Sequence, residues 1–369
     1  MSPIAIAIAG LACVALVTQR PAEPRRPSQL IRRVAELGTA RAAHTATTLP
    51  SGQVLVVGGM AEAGSGIPTA ELFDPEKNAV QRAGSLRDGR TGHTATLLAD
   101  GRVLVAGGYN GEYLSSLEVF DPSSNAFRPA GSLVEARSGH TATLLPDGRI
   151  LLAGGIGRGW TFLRTAELYD PRTGRSAAVG AMSVPREGHT ATLLDDGRVL
   201  VVGGHTGRRP RVQVHATAEC FSVANARFEP AGTLETARHK HDAIRLTDGR
   251  VLIIGGADRS DRLHYATTEV FTATSKSFRR GPSMKHPRYK IAGTAILLSS
   301  GNVLVTSGGP VGELLDVRSW TFNEVPGRYP EPYRFAAAAL MRDGDVFVAG
   351  GYSDGNRNTG GIWRFHAGE

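Results

Sequence analysis

From about residue 30 onward the chain alternates short apolar runs with polar turns, and the runs return in a fixed order. The order is clearest in RTGHTATLL (90–98), Asp100-Gly101, RVLVAGG (102–108), a variable loop, LEVFDP (117–122) and FRPAGSL (127–133). Each run is strand-length and is bounded by Gly, Pro or Asp, which predicts four β-strands per copy. Gly-Gly doublets mark seven copies, at residues 58, 107, 154, 203, 255, 308 and 350, spaced 42 to 53 residues apart. A period of that size means one supersecondary unit repeated along the chain.

Asp-Gly between the first and second runs recurs at Asp147-Gly148, Asp196-Gly197, Asp248-Gly249 and Asp343-Gly344 and predicts two-residue hairpins. Asp-Pro after the third run, at Asp74-Pro75, Asp121-Pro122 and Asp170-Pro171, turns the chain into the fourth. Each unit is thus expected to be an antiparallel meander with two faces to bury, and radial stacking of such sheets gives a β-propeller. Six complete units run from Arg41 to about Arg328, and a seventh, starting near Tyr333, lacks its fourth strand. IRRVAELGTAR (31–41) matches FRPAGSLVEAR (127–137), so an N-terminal strand is expected to complete the last sheet. The expected fold is all-β: residues 30–369 form a seven-bladed β-propeller of four-stranded antiparallel blades, closed by an N-terminal outer strand on three C-terminal strands.

The order Arg-x-x-His, strand, Gly-Gly, loop, Glu-x-aromatic-Asp-Pro resembles the kelch repeat from about Ile31 to Glu369. The HTATLL and DGRVL wording is similar to bacterial kelch proteins and to the central propeller of galactose oxidase. Leu stands where kelch second strands often carry Tyr (Leu55, Leu104, Leu151, Leu200), and Phe where fourth strands often carry Trp (Phe127, Phe228, Phe278). The resemblance implies a propeller whose ligands meet the loop-bearing face.

Composition narrows this picture. Lys and Arg outnumber Asp and Glu by 42 to 34, which favours acidic partners. The basic residues are scattered through the repeats without base-stacking motifs, so no specific nucleic acid is expected. Cys13 and Cys220 are the only cysteines, which leaves the repeats one thiol and no disulfide. Ile4 to Val17 is apolar and uncharged, short for a membrane span, and Pro/Arg-rich sequence follows it. Residues 1–29 are therefore expected to be a signal peptide or membrane anchor with a linker, and the protein to be extracytoplasmic (periplasmic, secreted or membrane-anchored).

Residues present in every copy are expected to build the sheets. His44, His93, His140, His189 and His241 of the first runs read as structural, since copies spread around a ring cannot meet at one ion. Arg41, Arg90, Arg137, Arg186, Arg238 and Arg288, with Glu71, Glu118, Glu167, Glu219, Glu269 and Glu313, are expected to form buried pairs between blades. In a meander, the fourth-to-first and second-to-third connections share one end, and these vary most along the chain. A ligand is expected there.

That face is least repetitive in units four to six, which carry the expected ligand-binding set: Arg208, Arg209, Arg211, His239, Lys240, Arg259, Arg262, His264, Tyr289 and Lys290. Forked Arg donors beside aromatic rings suit a carboxylate or sulfate. The expected function is a kelch-type binding protein that recognises an acidic carbohydrate or acidic protein segment, as a monomer, without a cofactor or metal. A second reading is an enzyme resembling kelch sugar-acid mutarotases or epimerases, with Asp258, Asp261 and His264 as acid–base candidates. A third is an interaction scaffold without a small ligand. A histidine metal site from His205, His215, His239 and His264 lacks fixed spacing and has few carboxylates nearby. A copper radical oxidase does not fit, because Cys220 falls in a third strand and no flanking domain is seen.

Overall fold

The computed structural model describes residues 30–366, so the expected signal or anchor segment, residues 1–29, lies outside the described residues. The chain is all-β, and its four-stranded antiparallel sheets are arranged in a way consistent with a β-propeller. The first full unit consists of β2 (Thr45–Thr48), β3 (Val54–Val57), β4 (Thr69–Asp74) and β5 (Ala79–Ser85), in the order β2-β3-β4-β5. β1 (Ile31–Glu36) lies earlier in the chain but pairs with Gly361–Phe365 at the other end, with Ile31 opposite Phe365 and Arg33 opposite Trp363. Each first strand packs beside the first strands of its neighbours in sequence, and Thr45–Thr48 touches both Thr94–Leu97 and Ala337–Leu340.

The second strands show why the apolar runs are unbroken. Val54, Leu55, Val56 and Val57 are all fully buried. Successive strand side chains point to opposite faces. Accordingly, Leu55 and Val57 pack with Val103, Val105 and Phe120 of the next unit, while Val54 and Val56 pack with Phe347, Ala349 and Ile362 of the last. The core is therefore a series of layers between sheets. The fourth strands are mostly exposed and hold the rim.

The turn between first and second strands differs from the two-residue hairpin expected. Leu98 N donates to Arg102 O (2.8 Å) and Gly101 N to Leu98 O (3.0 Å), which closes a three-residue loop. Only its Gly is left-handed (Gly101, φ +84°), as in a type I turn followed by a bulge. The Asp caps the turn instead: Asp100 Oδ1 accepts from Arg102 N, and Oδ2 pairs with the Arg102 guanidinium.

The buried ion pairs also differ from the expectation, because both partners belong to one unit. The Arg137 guanidinium, 1 % exposed, donates to Glu167 Oε1 (2.9 Å), Gly154 O (2.8 Å) and Thr165 O (3.1 Å). The second carboxylate oxygen, Glu167 Oε2, accepts from Val134 N (2.7 Å), on the segment arriving from the preceding sheet. Arg41–Glu71, Arg90–Glu118, Arg186–Glu219, Arg238–Glu269 and Arg288–Glu313 repeat the pair, so each connection is clamped to the unit it enters. In the last unit, Tyr333 and Trp363 occupy the corresponding places, with ring centroids 5.0 Å apart.

Candidate functional site

The residue just before each first-strand histidine, or its counterpart, is left-handed. These residues are Ala43 (φ +51°), Gly92 (+61°), Gly139 (+64°), Gly188 (+64°), Lys240 (+55°), Lys290 (+57°) and Phe335 (+52°). Glycine adopts this torsion freely, whereas a residue with a long side chain does so at a cost of about 1 kcal/mol or more. Backbone hydrogen bonds between neighbouring units hold it in place: Lys240 N to Gly188 O (2.8 Å), Lys290 N to Lys240 O (2.8 Å), Phe335 N to Lys290 O (3.0 Å) and Ala43 N to Phe335 O (2.9 Å). Four small residues leave a central mouth open, and two ammonium groups and a phenyl ring furnish it. The cavity there is about 360 Å³ and is lined by, among others, His44, Glu187, Lys240, Lys290 and Phe335.

Glu187 stands beside one of the glycines, where its backbone bridges to His205, the residue after a Gly-Gly doublet. That bridge sets the side chains together. Glu187 Oε2 is 3.2 Å from His205 Nδ1, and His205 Nδ1 is 2.9 Å from His239 Nδ1. His239 Nε2 donates to Asp258 O (3.1 Å) and lies 3.0 Å from Asp261 Oδ1. Lys240 Nζ closes the chain on Asp261 Oδ2 at 2.7 Å. Because His239 Nε2 faces only acceptors, it carries a hydrogen and leaves Nδ1 of the neutral ring as an acceptor; His205 Nδ1, which also meets Glu187 O at 3.1 Å, carries the other hydrogen. Burial pushes the Glu187 carboxyl up, against the pull of Lys240 and His239. Burial, then the charges of His239 and Lys240, push the His205 imidazole down to about 3. Burial also opposes the charge on Asp261, yet hydrogen bonding and charge from His239 and Lys240 hold its carboxyl well below the usual range.

In the next unit along the mouth, Lys290 Nζ meets Tyr352 Oη at 2.5 Å. It lies 5.1, 5.4 and 5.2 Å from the ring centroids of Tyr289, Phe335 and Tyr352. Among the described residues it has no carboxylate partner. His264 stacks on Tyr289 at 3.8 Å, and its Nε2 meets Asp261 O at 3.1 Å. Of the expected binding residues, the structure therefore brings His239, Lys240, His264, Tyr289 and Lys290 together. Arg208 lies on the Trp160 ring, Arg209 reaches Asp261 (3.3 Å), and Arg211, Arg259 and Arg262 are exposed on the rim. Asp258 is engaged in its own loop, where it accepts from Ser260 Oγ, Arg262 N and Leu263 N. Glu187, His205 as a relay member, and Tyr352 were not singled out. The available signal was positional: all three occupy the two most variable places of the unit, two residues before the histidine and just after Gly-Gly.

The first-strand histidines form a buried layer beneath the mouth. Thr45 Oγ1 meets His93 Nε2 at 3.2 Å, and Thr94–His140 (3.1 Å), Thr141–His189 (3.0 Å) and Thr190–His241 (3.1 Å) repeat the bond across neighbouring units. His44 breaks the series, because Ala337 stands where its threonine would be and both of its ring nitrogens are buried without a partner.

Among the described residues, no three His, Cys, Asp or Glu side chains converge as metal ligands. His215 Nε2 lies 3.4 Å from Thr206 Oγ1, and no helix is long and apolar enough to cross a membrane. The Kelch motif family model matches residues 90–133. A search of curated proteins finds no match. Among solved structures, the fold is similar to that of a fungal alcohol oxidase of the AA5 family in complex with copper, with a TM-score of 0.72 and 17 % identity over 91 % of this chain and 75 % of that one. Cys220 does not fit as a copper ligand. Cys220 is buried among Leu200, Val202 and Phe271, and burial pushes its thiol up to about 11, which disfavours the thiolate a metal needs.

Proposed function

We propose, for a chain that carries the kelch motif on an all-β fold, a seven-bladed propeller closed by β1 whose central mouth binds the acidic group of a carbohydrate. Support for the ring comes from the pairing of β1 with Gly361–Phe365 and from the bond of Ala43 N to Phe335 O. The observation that carries the binding reading is Lys290, an ammonium group at the mouth ringed by Tyr289, Phe335 and Tyr352 and free of a carboxylate among the described residues. Lys240 is neutralised by Asp261, which leaves the Lys290 ammonium as the charge available to an anion at the mouth. A volume of about 360 Å³ accommodates one sugar ring. The apolar run near the N-terminus places such a monomer outside the cytoplasm in this reading.

Calorimetric titration with galacturonate, glucuronate, sialate and their neutral counterparts tests it. An acidic sugar is expected to bind, Lys290→Ala to weaken it at least tenfold, and Lys290→Arg to retain most of the affinity. Arg259→Ala and Arg262→Ala are expected to have no effect, because those side chains stand away from the mouth on the rim. Equal binding of acidic and neutral sugars, or indifference to Lys290→Ala, removes the proposal.

The contact chain Glu187–His205–His239–Asp261 favours a second reading, sugar-acid mutarotation or epimerisation. In it, the Glu187 carboxylate takes the proton of the anomeric hydroxyl while the bond from C1 to the ring oxygen breaks and the Lys240 ammonium gives a proton to the ring oxygen; closure on the opposite face reverses both transfers. Anomer interconversion followed by NMR is expected to accelerate with the protein and to slow at least a hundredfold in Glu187→Gln. A rate equal to that in buffer rejects catalysis without touching the binding proposal.

A further inference from the structure

Outside the mouth, three neighbouring second-to-third loops bring aromatic rings together. Tyr109 and Tyr113 of the second unit pack at 5.1 Å, and Tyr113 meets Trp160 of the third unit edge-on at 6.1 Å. From the fourth unit, Arg208 lays its guanidinium 3.6 Å over the Trp160 ring. Trp160 closes the 3-10 turn Arg158–Trp160 with φ +62° and is 51 % exposed. Burial cannot be what keeps the large ring in that torsion, since half of it faces solvent. The cluster is also close to the mouth: Phe162, two residues after Trp160, meets the His205 ring at 5.5 Å, and His205 contacts Glu187 of the cavity lining.

We propose that Tyr113, Trp160 and Arg208 form a second subsite that takes a sugar ring, so that the ligand is an acidic oligosaccharide running from the mouth toward units two and three. This rests on the mouth being the anion site. Two rings at 86° make a corner suited to the apolar face of a rigid pyranose, and the indole is a flat, low-entropy contact surface. Arg208, held flat by cation–π attraction, keeps its N–H edge available for a carboxylate of the same saccharide. An acidic peptide such as polyglutamate carries repeated charge but lacks the rigid ring face that the corner would take.

The test compares each acidic monosaccharide above with its own oligomer (tetragalacturonate, a hyaluronan tetrasaccharide, tetrasialate) and with octaglutamate, using the full chain. For the saccharide that binds, the oligomer is expected to bind at least tenfold more tightly than the monomer, with quenching of tryptophan fluorescence. Trp160→Ala is expected to abolish that gain and leave the monomer affinity unchanged. Trp160→Phe is expected to keep most of the gain, and Arg208→Ala to lose part of it. A gain that survives Trp160→Ala, or no gain at all, overturns the second subsite while the mouth stands. Absence of monomer binding overturns the mouth, and the subsite with it. Octaglutamate binding that depends on Trp160, without saccharide binding, overturns the choice of carbohydrate.

Discussion

Lowering the pH from 7 to 5 is expected to remove about 6 kcal/mol or more of folding free energy, a large part of the stability of an ordinary domain. The cause is the buried histidine layer. Burial, followed by the charge of the neighbouring guanidinium, holds His44, His93 and His189 down to about 3, and His140 and His241 well below their ordinary value. An unfolded chain protonates these rings near the usual value of about 6.5, whereas the folded chain resists until about 3. Between those values the unfolded state binds more protons, so stability is complete above about pH 6.5 and falls as the pH drops. At pH 5 each of His44, His93 and His189 accounts for about 2 kcal/mol, and His140 and His241 act in the same direction. Glu187 and Asp242, both raised by burial, work in the opposite direction, whereas His205 and His215, lowered chiefly by burial, add to the loss. Thermal melts by circular dichroism at pH 8, 7, 6 and 5 should show a midpoint that collapses below pH 6. His140→Gln should move the collapse to lower pH. A midpoint that is level from pH 7 to 5 would mean that the layer already takes up protons in the native fold.

The same layer shows what the residues alone made legible. Strand order and unit boundaries were written in the apolar runs, because a strand buried on both faces must be apolar throughout, as Val54–Val57 is. Turn length was not written there. Asp-Gly suits two-residue and three-residue loops alike, and only the pairing of Leu98 with Arg102 decides between them. Nor was the allegiance of each buried Arg, because the segment that leads into a unit is covalently the end of the one before. At the mouth, His239-Lys240 and Tyr289-Lys290 stood out as breaks in the repeat, and the structure brings them together. Loop cations drew attention to Arg208, Arg209 and Arg211 through charge density, yet which of them faces inward depends on contacts between loops of different units, as in Arg208 on Trp160 and Arg209 on Asp261. Glu187 differs from its counterparts Thr91 and Ser138 by a single residue type in an otherwise regular unit. Its backbone bridge to His205 repeats those of Thr91 to Tyr109 and Ser138 to Ile156; what the sequence does not reveal is the contact of His205 with His239 of the next unit.

Arg137→Leu is expected to destabilise the fold by about 3–5 kcal/mol, the usual consequence of leaving one member of a buried ion pair without its partner. Glu167 would stay 1 % exposed with one oxygen unpaired, and Gly154 O and Thr165 O would each lose a donor. The last unit suggests how the loss can be repaired. There Tyr333 and Trp363 replace the pair, and Gly361 lies beneath the indole, where an added Cβ would fall 2.5 Å from the Trp363 ring. The residue at that register position in the third unit is Thr165. Copying only the two rings, as Arg137→Tyr with Glu167→Trp, should therefore overpack and remain about 1–3 kcal/mol unstable. Adding Thr165→Gly should recover most of the deficit, since buried ion pairs are often replaceable by well-packed apolar groups of similar volume. Guanidinium midpoints of the single, double and triple variants measure this directly. If Arg137→Leu alone melts with the parent chain, the six clamps contribute nothing to stability, and their recurrence would need another cause.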